Sequence, residues 1–456
     1  MSDNSLRIDS LSLTNFRCFK DLVEPLRFQP DLTVLVAKNG CGKTSILDAI
    51  RISLGTFTKR TNSFSQASIR KSDATLLPLR VGQGKGASYP VRIAVKGIVG
   101  SEECKWERML ESEKGRTTTK EAKAISHFGA YLKESASSDD STPGLPIIAF
   151  YGTSRLWKGT LDSDGKAGWD EHNFASEDCF VGYEDALTTD SIYAQVKRWM
   201  SYASVVKANP VESDTVVGRS IAAQYAAVES AVDEVLRGTG YRSPHYNFTY
   251  KDVALIEEDQ DSYASIAVPV SWTSDGIKAV FSLVADIAYR CSRLNPSYGV
   301  YACKRTQGIV MIDEVDLFLH PAWQQRILPD LRRVFPKIQF IVSTHSPQVV
   351  SSVPRECVRI ITPEGAQPFL SPTLGVEVKD ILLSIFGTGP VPQGLEIVEK
   401  LDRLIAMTAE GLGDSEAWKR LYDELRGYYG DNYGPLLGAL KHKEFLMRLS
   451  SERENA

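Results

Sequence analysis

Ala37-Lys38-Asn39-Gly40-Cys41-Gly42-Lys43-Thr44 decides how the rest of this sequence is read. It fits the pattern [AG]xxxxGK[ST], with Ala where Gly is commoner at the first position. Small residues let successive backbone N–H groups turn inward and cradle anionic phosphates. The flanks supply the required context. Leu32-Thr33-Val34-Leu35-Val36 is a short apolar, β-branched run suited to a strand buried on both faces. Thr44-Ser45-Ile46-Leu47-Asp48-Ala49-Ile50 opens a helix whose N-terminal dipole favours the same anion. The expected phosphate ligands are therefore Ala37, Lys38, Asn39, Gly40, Cys41, Gly42, Lys43, Thr44 and Ser45. Lys43 is expected to reach the β- and γ-phosphates, and the Thr44 hydroxyl to hold Mg²⁺.

A second signal lies far downstream. Gly308-Ile309-Val310-Met311-Ile312 is another buried-strand run, and it ends in Asp313-Glu314. A strand of this kind can deliver Asp313 to the Mg²⁺ shell and Glu314 to a water attacking the γ-phosphate. Leu319-His320-Pro321 follows. Phe340-Ile341-Val342-Ser343-Thr344-His345-Ser346 then forms a third such strand, which would bring His345 beside the acids as a γ-phosphate sensor. Trp272-Thr273-Ser274-Asp275-Gly276-Ile277-Lys278 precedes an amphipathic helix. Ser274, Asp275 and Gly276 either offer phosphate contacts or simply cap that helix.

Composition excludes several classes. The chain has 456 residues, 43% hydrophobic and 24% charged, which fits a folded globular protein. No apolar run approaches the ~20 residues of a membrane span. Met1 to Asp9 lacks a signal-peptide core. The seven cysteines are scattered, with no CxxC pair, and suit reduced thiols and a cytoplasmic location. With 57 acidic against 53 basic residues and a net charge of −4, nucleic-acid contact requires a local patch or a partner. Arg51, Lys59, Arg60, Arg70, Lys71 and Arg80 form the one candidate patch. Between the motifs, Glu111 to Lys123 and Ser135 to Pro143 read as solvated connectors. Ser191 to Met200 and Arg219 to Arg237 read as helices.

As a set, these motifs resemble the ABC-type ATPases of the SMC/RecF/OLD group. Phosphate loop, signature, Asp-Glu strand, D-loop and His switch occur in that group's order, and Leu13-Thr14-Asn15-Phe16-Arg17-Cys18-Phe19 resembles its RecF-like opening. The resemblance implies an α/β fold: a P-loop NTPase head with a mixed β-sheet and an antiparallel β lobe. The expected division is an N-terminal lobe over 1–110, a mainly helical insertion over 111–264 with a strand near 145–151, a C-terminal lobe over 265–365 and a helical extension over 366–456. It further implies ATP and Mg²⁺ as cofactors. Two heads would dimerise head to head, and Ser274-Asp275-Gly276 of one would close over the nucleotide on Lys43 and Thr44 of the other. The signature departs from LSGGQ at Asp275, and the Q-loop has only Gln66 as a candidate.

Length narrows the group. The chain has neither room nor heptads for SMC coils, and the stretch after Pro354 shows no Toprim layout. Tyr151-Gly152-Thr153-Ser154-Arg155 and the segment Gly375 to Gly387 are similar to the PtuA-type ATPases of Septu and retron anti-phage systems. That likeness implies an ATPase that regulates a PtuB-like HNH nuclease. In the retron setting a reverse transcriptase and its msDNA are further partners, and nucleic acid is met through the complex, away from any membrane. A RecF-like DNA-binding repair ATPase and an OLD-like scaffold are the alternatives. The C-terminal helices, Leu395 to Leu404 and Glu416 to Tyr428, either dock the nuclease or pack on the head.

Overall fold

The structure is a computed structural model. It describes residues 4–22, 24–38, 40–61, 67–78, 85–136, 144–155, 174, 178–188, 192–257, 265–362, 364–389, 391–392 and 394–454. Asn39, Gln66 and Arg80 lie outside the described residues, as does the side chain of Arg60.

The three apolar runs of the sequence lie side by side. A six-stranded sheet runs in the order Gly365–Pro368, Val358–Thr362, Leu32–Val36, Ile338–Thr344, Gly308–Ile312, Ile147–Tyr151. Its five inner-to-edge strands from Val358–Thr362 to Ile147–Tyr151 are parallel, and only Gly365–Pro368 is antiparallel. Burial on both faces explains why these strands read as continuous apolar stretches. Register aligns their carboxyl ends: Val36 lies beside Thr344, and Ile312 beside both Val342 and Tyr151. The residues that follow each strand therefore gather on one edge, where open parallel sheets bind ligands.

One polar residue inside the core has a clear purpose. Gln339 is buried, donates to the carbonyls of Ile8 and Gln29, and accepts the Ile8 N–H at 2.9 Å. It ties the parallel sheet to a second, antiparallel sheet. There the strand Leu6–Phe16 pairs with Val91–Val99, which pairs with Glu102–Leu110. This is the mixed sheet and antiparallel lobe that the resemblance implies.

The segment read as an insertion contributes more than helices. Ile147–Tyr151 is an edge strand of the parallel sheet, and Tyr241–Asn247, Asp252–Glu257 and Ile266–Pro269 form a separate antiparallel sheet. Helices Tyr193–Ala208 and Val216–Leu236 pack on the helix Asp275–Leu294. The expected connector near Lys123 is instead the start of a helix, Lys123–Ala136. It buries Ile125, Phe128, Gly129 and Leu132, which recur at helical spacing, with Phe128 against Phe57.

The chain divides into two compact units after Ile381, later than the boundary at 366 expected from sequence. The Gly365–Pro368 strand and the helix Val378–Ile381 stay with the first unit. The second unit is built from helices Glu396–Ala409, Glu416–Tyr429 and Gly434–Glu454. Its core is Leu401, Leu404, Trp418, Leu425, Leu436 and Ala439, so these helices bury apolar faces against one another. Among the described residues, no helix is long and apolar enough to cross a membrane.

Candidate active site

The phosphate loop joins the strand Leu32–Val36 to the helix Lys43–Thr61. Gly40 and Gly42 have φ of +80° and +97°, conformations that disfavour any Cβ. At Gly42 space also forbids one, because a Cβ would stand 2.5 Å from Cys18 Sγ and 2.6 Å from the Phe19 ring. The RecF-like opening thus packs directly beneath the loop. The cleft above holds about 460 Å³ and is lined by Arg17, Cys18, Gly40, Gly42, Lys43, Thr44, Ser45, Asp313, Glu314 and His345.

Every principal residue read from the three strands meets here. Thr44 Oγ1 donates to Asp313 Oδ2 at 2.8 Å, although the two are 269 positions apart. Lys43 Nζ lies 2.6 Å from His345 Nε2 and 3.3 Å from the Ala37 carbonyl. Burial pushes the Lys43 ammonium below its usual pKa, opposed by the attraction of Asp313 and Glu314. Burial, then the charge of Lys43, pushes His345 down as well. The contact and the two shifts describe one arrangement: a neutral imidazole whose Nε2 accepts a hydrogen bond from the lysine ammonium.

The acidic pair is held firmly. Ser343, at the end of the neighbouring strand, donates to Asp313 Oδ1 at 2.5 Å and accepts the Glu314 N–H at 2.8 Å. Glu314 has φ of +49°, a left-handed conformation costing a non-glycine residue on the order of 1–2 kcal/mol. Arg155 binds the other side of the same turn, donating to the carbonyls of Asp313 and Glu314 at 2.8 Å each. Asp316 accepts from Thr344 Oγ1 at 2.6 Å. A hydroxyl and a carboxylate, both hard oxygen donors, are a donor set that fits Mg²⁺.

The signature residues are elsewhere in the chain. Ser274 Oγ accepts the Ile277 N–H at 3.4 Å and caps the helix Asp275–Leu294, while Ser274 and Asp275 are exposed. Gly276 is packed so that a Cβ would meet the Phe318 carbonyl at 2.9 Å, which anchors the signature turn to the loop after the acidic pair. None of the three lines the cleft of its own chain. His320 caps the short helix Pro321–Gln324 through Nδ1.

Sequence reading missed Arg17, Ser343 and Arg155. Arg17 lines the cleft and is fixed by Asp48 at 2.6 Å and Asp73 at 2.8 Å. The candidate basic patch is reduced by one member. Arg51 pairs with Asp48, donates to the Leu187 carbonyl and lies over the Phe150 ring. Lys59, Arg70 and Lys71 remain exposed.

The sequence is similar to those of several known proteins. The pattern of the family described as AAA domain matches residues 10–195. The chain is 26% identical over 422 residues to the Retron Ec83 probable ATPase of Escherichia coli, covering 82% of this chain and 74% of that protein. It is 24% identical over 461 residues to the Retron Vc95 probable ATPase of Vibrio cholerae serotype O1 biovar El Tor, covering 92% and 87% respectively. The Septu protein PtuA of Bacillus mycoides (strain KBAB4) is 27% identical over 192 residues, 39% of this chain and 26% of that protein.

Proposed function

We propose that this chain, a relative of retron ATPases and of Septu PtuA with an AAA domain, binds and hydrolyses ATP as the regulatory head of an anti-phage complex. The observation that carries the ATPase reading is the Thr44–Asp313 pair at 2.8 Å, set beside Lys43 and Glu314 at the carboxyl edge of a parallel sheet. A hydroxyl and a carboxylate distant in sequence meet where a triphosphate would lie.

Each residue has a role in that chemistry. Inward N–H groups of the loop around Gly40 to Ser45 bind the β-phosphate, and Lys43 leaves His345 to neutralise the β- and γ-phosphates. Thr44 and Asp313 would hold Mg²⁺, which supplies charge neutralisation at the phosphates when bound. Glu314 accepts a proton from the attacking water. His345, released by Lys43, turns its imidazole to the γ-phosphate. The exposure of Ser274 and Asp275, at the turn that ends in Gly276, supports closure in trans, by a second head placed face to face.

In such an arrangement the nucleotide state restrains a partner nuclease of HNH type, with msDNA and a reverse transcriptase present in a retron setting. The likeness to the retron ATPases and PtuA supports this finer reading. The direct test is Glu314→Gln. The metal shell survives and water activation is lost, so ATP stays bound and the dimer persists in size-exclusion chromatography. Hydrolysis at the wild-type rate removes Glu314 as the base. Co-expression with a PtuB-like HNH nuclease, followed by purification with and without ATP, tests the partner.

A further inference from the structure

We propose that Arg155 is a positioning residue for hydrolysis, setting the direction of Glu314 through the backbone of the acidic turn. The proposal rests on the reading of Glu314 as general base and extends it to a residue outside the phosphate-loop, signature and acidic motifs.

Arg155 sits just beyond the strand Ile147–Tyr151, beside the end of the acidic strand. It is 3% exposed, unusual for a cation. Among the described residues it forms no ion pair with a carboxylate. Its guanidinium is used on carbonyls instead: Nη1 donates to Gly152 at 3.1 Å and to Asp313 at 2.8 Å, and Nη2 donates to Glu314 at 2.8 Å. Nε is buried without an acceptor among the described residues. A fold seeking stability alone gains little from such a group, since a buried cation with an orphaned donor is costly.

The geometry instead matches a need of the site. Two successive carbonyls, of Asp313 and Glu314, are gripped by one rigid planar fork. Fixing both fixes the two peptide planes that flank Glu314, and with them its left-handed φ of +49°. Ser343 holds the same turn from the opposite side through the Glu314 N–H. Remove the fork, and Glu314 relaxes toward an ordinary conformation that carries its carboxylate away from the γ-phosphate. Arg155 also places a positive charge behind Asp313, Glu314 and Asp316. Burial lowers its pKa to about 10, against the attraction of those three acids, so it stays charged at neutral pH.

The strand that carries Arg155 is itself braced. Tyr151 donates to Asp286 Oδ2 at 2.7 Å, and Arg290 donates to the same oxygen at 2.7 Å. Asp286 and Arg290 belong to the helix that begins at the signature. Arg155 is thus mounted on a fixed element, as a positioning group must be.

The test compares Arg155→Met and Arg155→Lys in the full-length chain, alone and combined with Glu314→Gln. Arg155→Met is expected to lower kcat roughly 10- to 100-fold, the scale of a misdirected catalytic group, with KM for ATP within about twofold. Binding of a fluorescent ATP analogue with Mg²⁺ stays at the wild-type level. Arg155→Lys, which keeps the charge and loses the fork, recovers part of kcat. In the Glu314→Gln background neither change lowers the residual rate further, because the group they position is gone. A rise in KM with unchanged kcat, weaker analogue binding, or a loss that multiplies in the Glu314→Gln background overturns the proposal. If Arg155→Met does not fold, Arg155→Lys carries the same comparison. Glu314→Gln alone judges the identity of the base, so the two failures are separable.

Discussion

Replacing Ser343 by Ala removes one oxygen and two interactions on which the acidic turn depends. The hydroxyl donates to Asp313 Oδ1 at 2.5 Å and accepts the Glu314 N–H at 2.8 Å, and the residue is fully buried. A hydrogen bond to a charged group contributes about 1.5–3 kcal/mol, and a buried N–H left without an acceptor costs about 1–3 kcal/mol. The void left by one oxygen is too small for a water to restore either. Allowing for partial relaxation, the loss is about 2–4 kcal/mol. At about 2.1 cal/mol/K per residue, a unit spanning Met1–Ile381 has an unfolding entropy near ~0.8 kcal/mol/K, so its melting temperature falls by roughly 2–5 °C. The functional loss is larger. A metal ligand deprived of its orienting partner loses about 10- to 100-fold in metal affinity. The assay is ATP hydrolysis against Mg²⁺ concentration at saturating ATP, beside a thermal melt. Half-saturation is expected to rise by about 10- to 100-fold. A half-saturation within about twofold of wild type refutes the reasoning, because Asp313 would then be oriented without Ser343.

The neutral His345–Lys43 pair and the exposed signature make two further predictions. In the free protein burial and the Lys43 charge depress His345; an arriving triphosphate draws Lys43 away and raises both pKa values, so ATP binding near pH 6.5 takes up protons. Calorimetry in buffers of different ionisation enthalpy measures that uptake, and proton release contradicts it. For closure in trans, Lys43→Ala and Ser274→Arg are each inactive alone. An equal mixture regains activity, because one composite site pairs the intact Lys43 loop of one protomer with the intact Ser274 turn of the other. A mixture as inactive as its parts sinks the trans arrangement.

The parts of the site that were legible in sequence are those whose signal is local. The glycines of the phosphate loop announce a backbone conformation, and Asp313 announces itself by ending an apolar run. Their meeting was legible only through order and resemblance, since nothing within either segment says that Thr44 lies 2.8 Å from Asp313. The helix Lys123–Ala136 was hidden by the charged stretch before it, although Ile125, Phe128 and Leu132 carry helical spacing. The unit that begins at Leu382 was legible as helices, but not as a body with its own core around Leu404 and Trp418.

Ser343 and Arg155 were missed for a different reason, which is physical. Two adjacent acids at a strand tip repel each other and any triphosphate, so they require positive charge and hydrogen-bond donors close by. In a parallel sheet those groups come from the tips of the neighbouring strands, which are distant in sequence. Ser343 belongs to the strand on one side and Arg155 follows the strand on the other, and together they grip both faces of the Asp313–Glu314 turn. A serine interrupting Phe340-Ile341-Val342 carried a usable signal, because a polar residue in a fully buried strand must satisfy a partner. Arg155 stood out only as part of a segment similar to PtuA-type ATPases: an arginine after a strand is ordinary, and only strand order brings it beside the acidic tip, onto the carbonyls of Asp313 and Glu314.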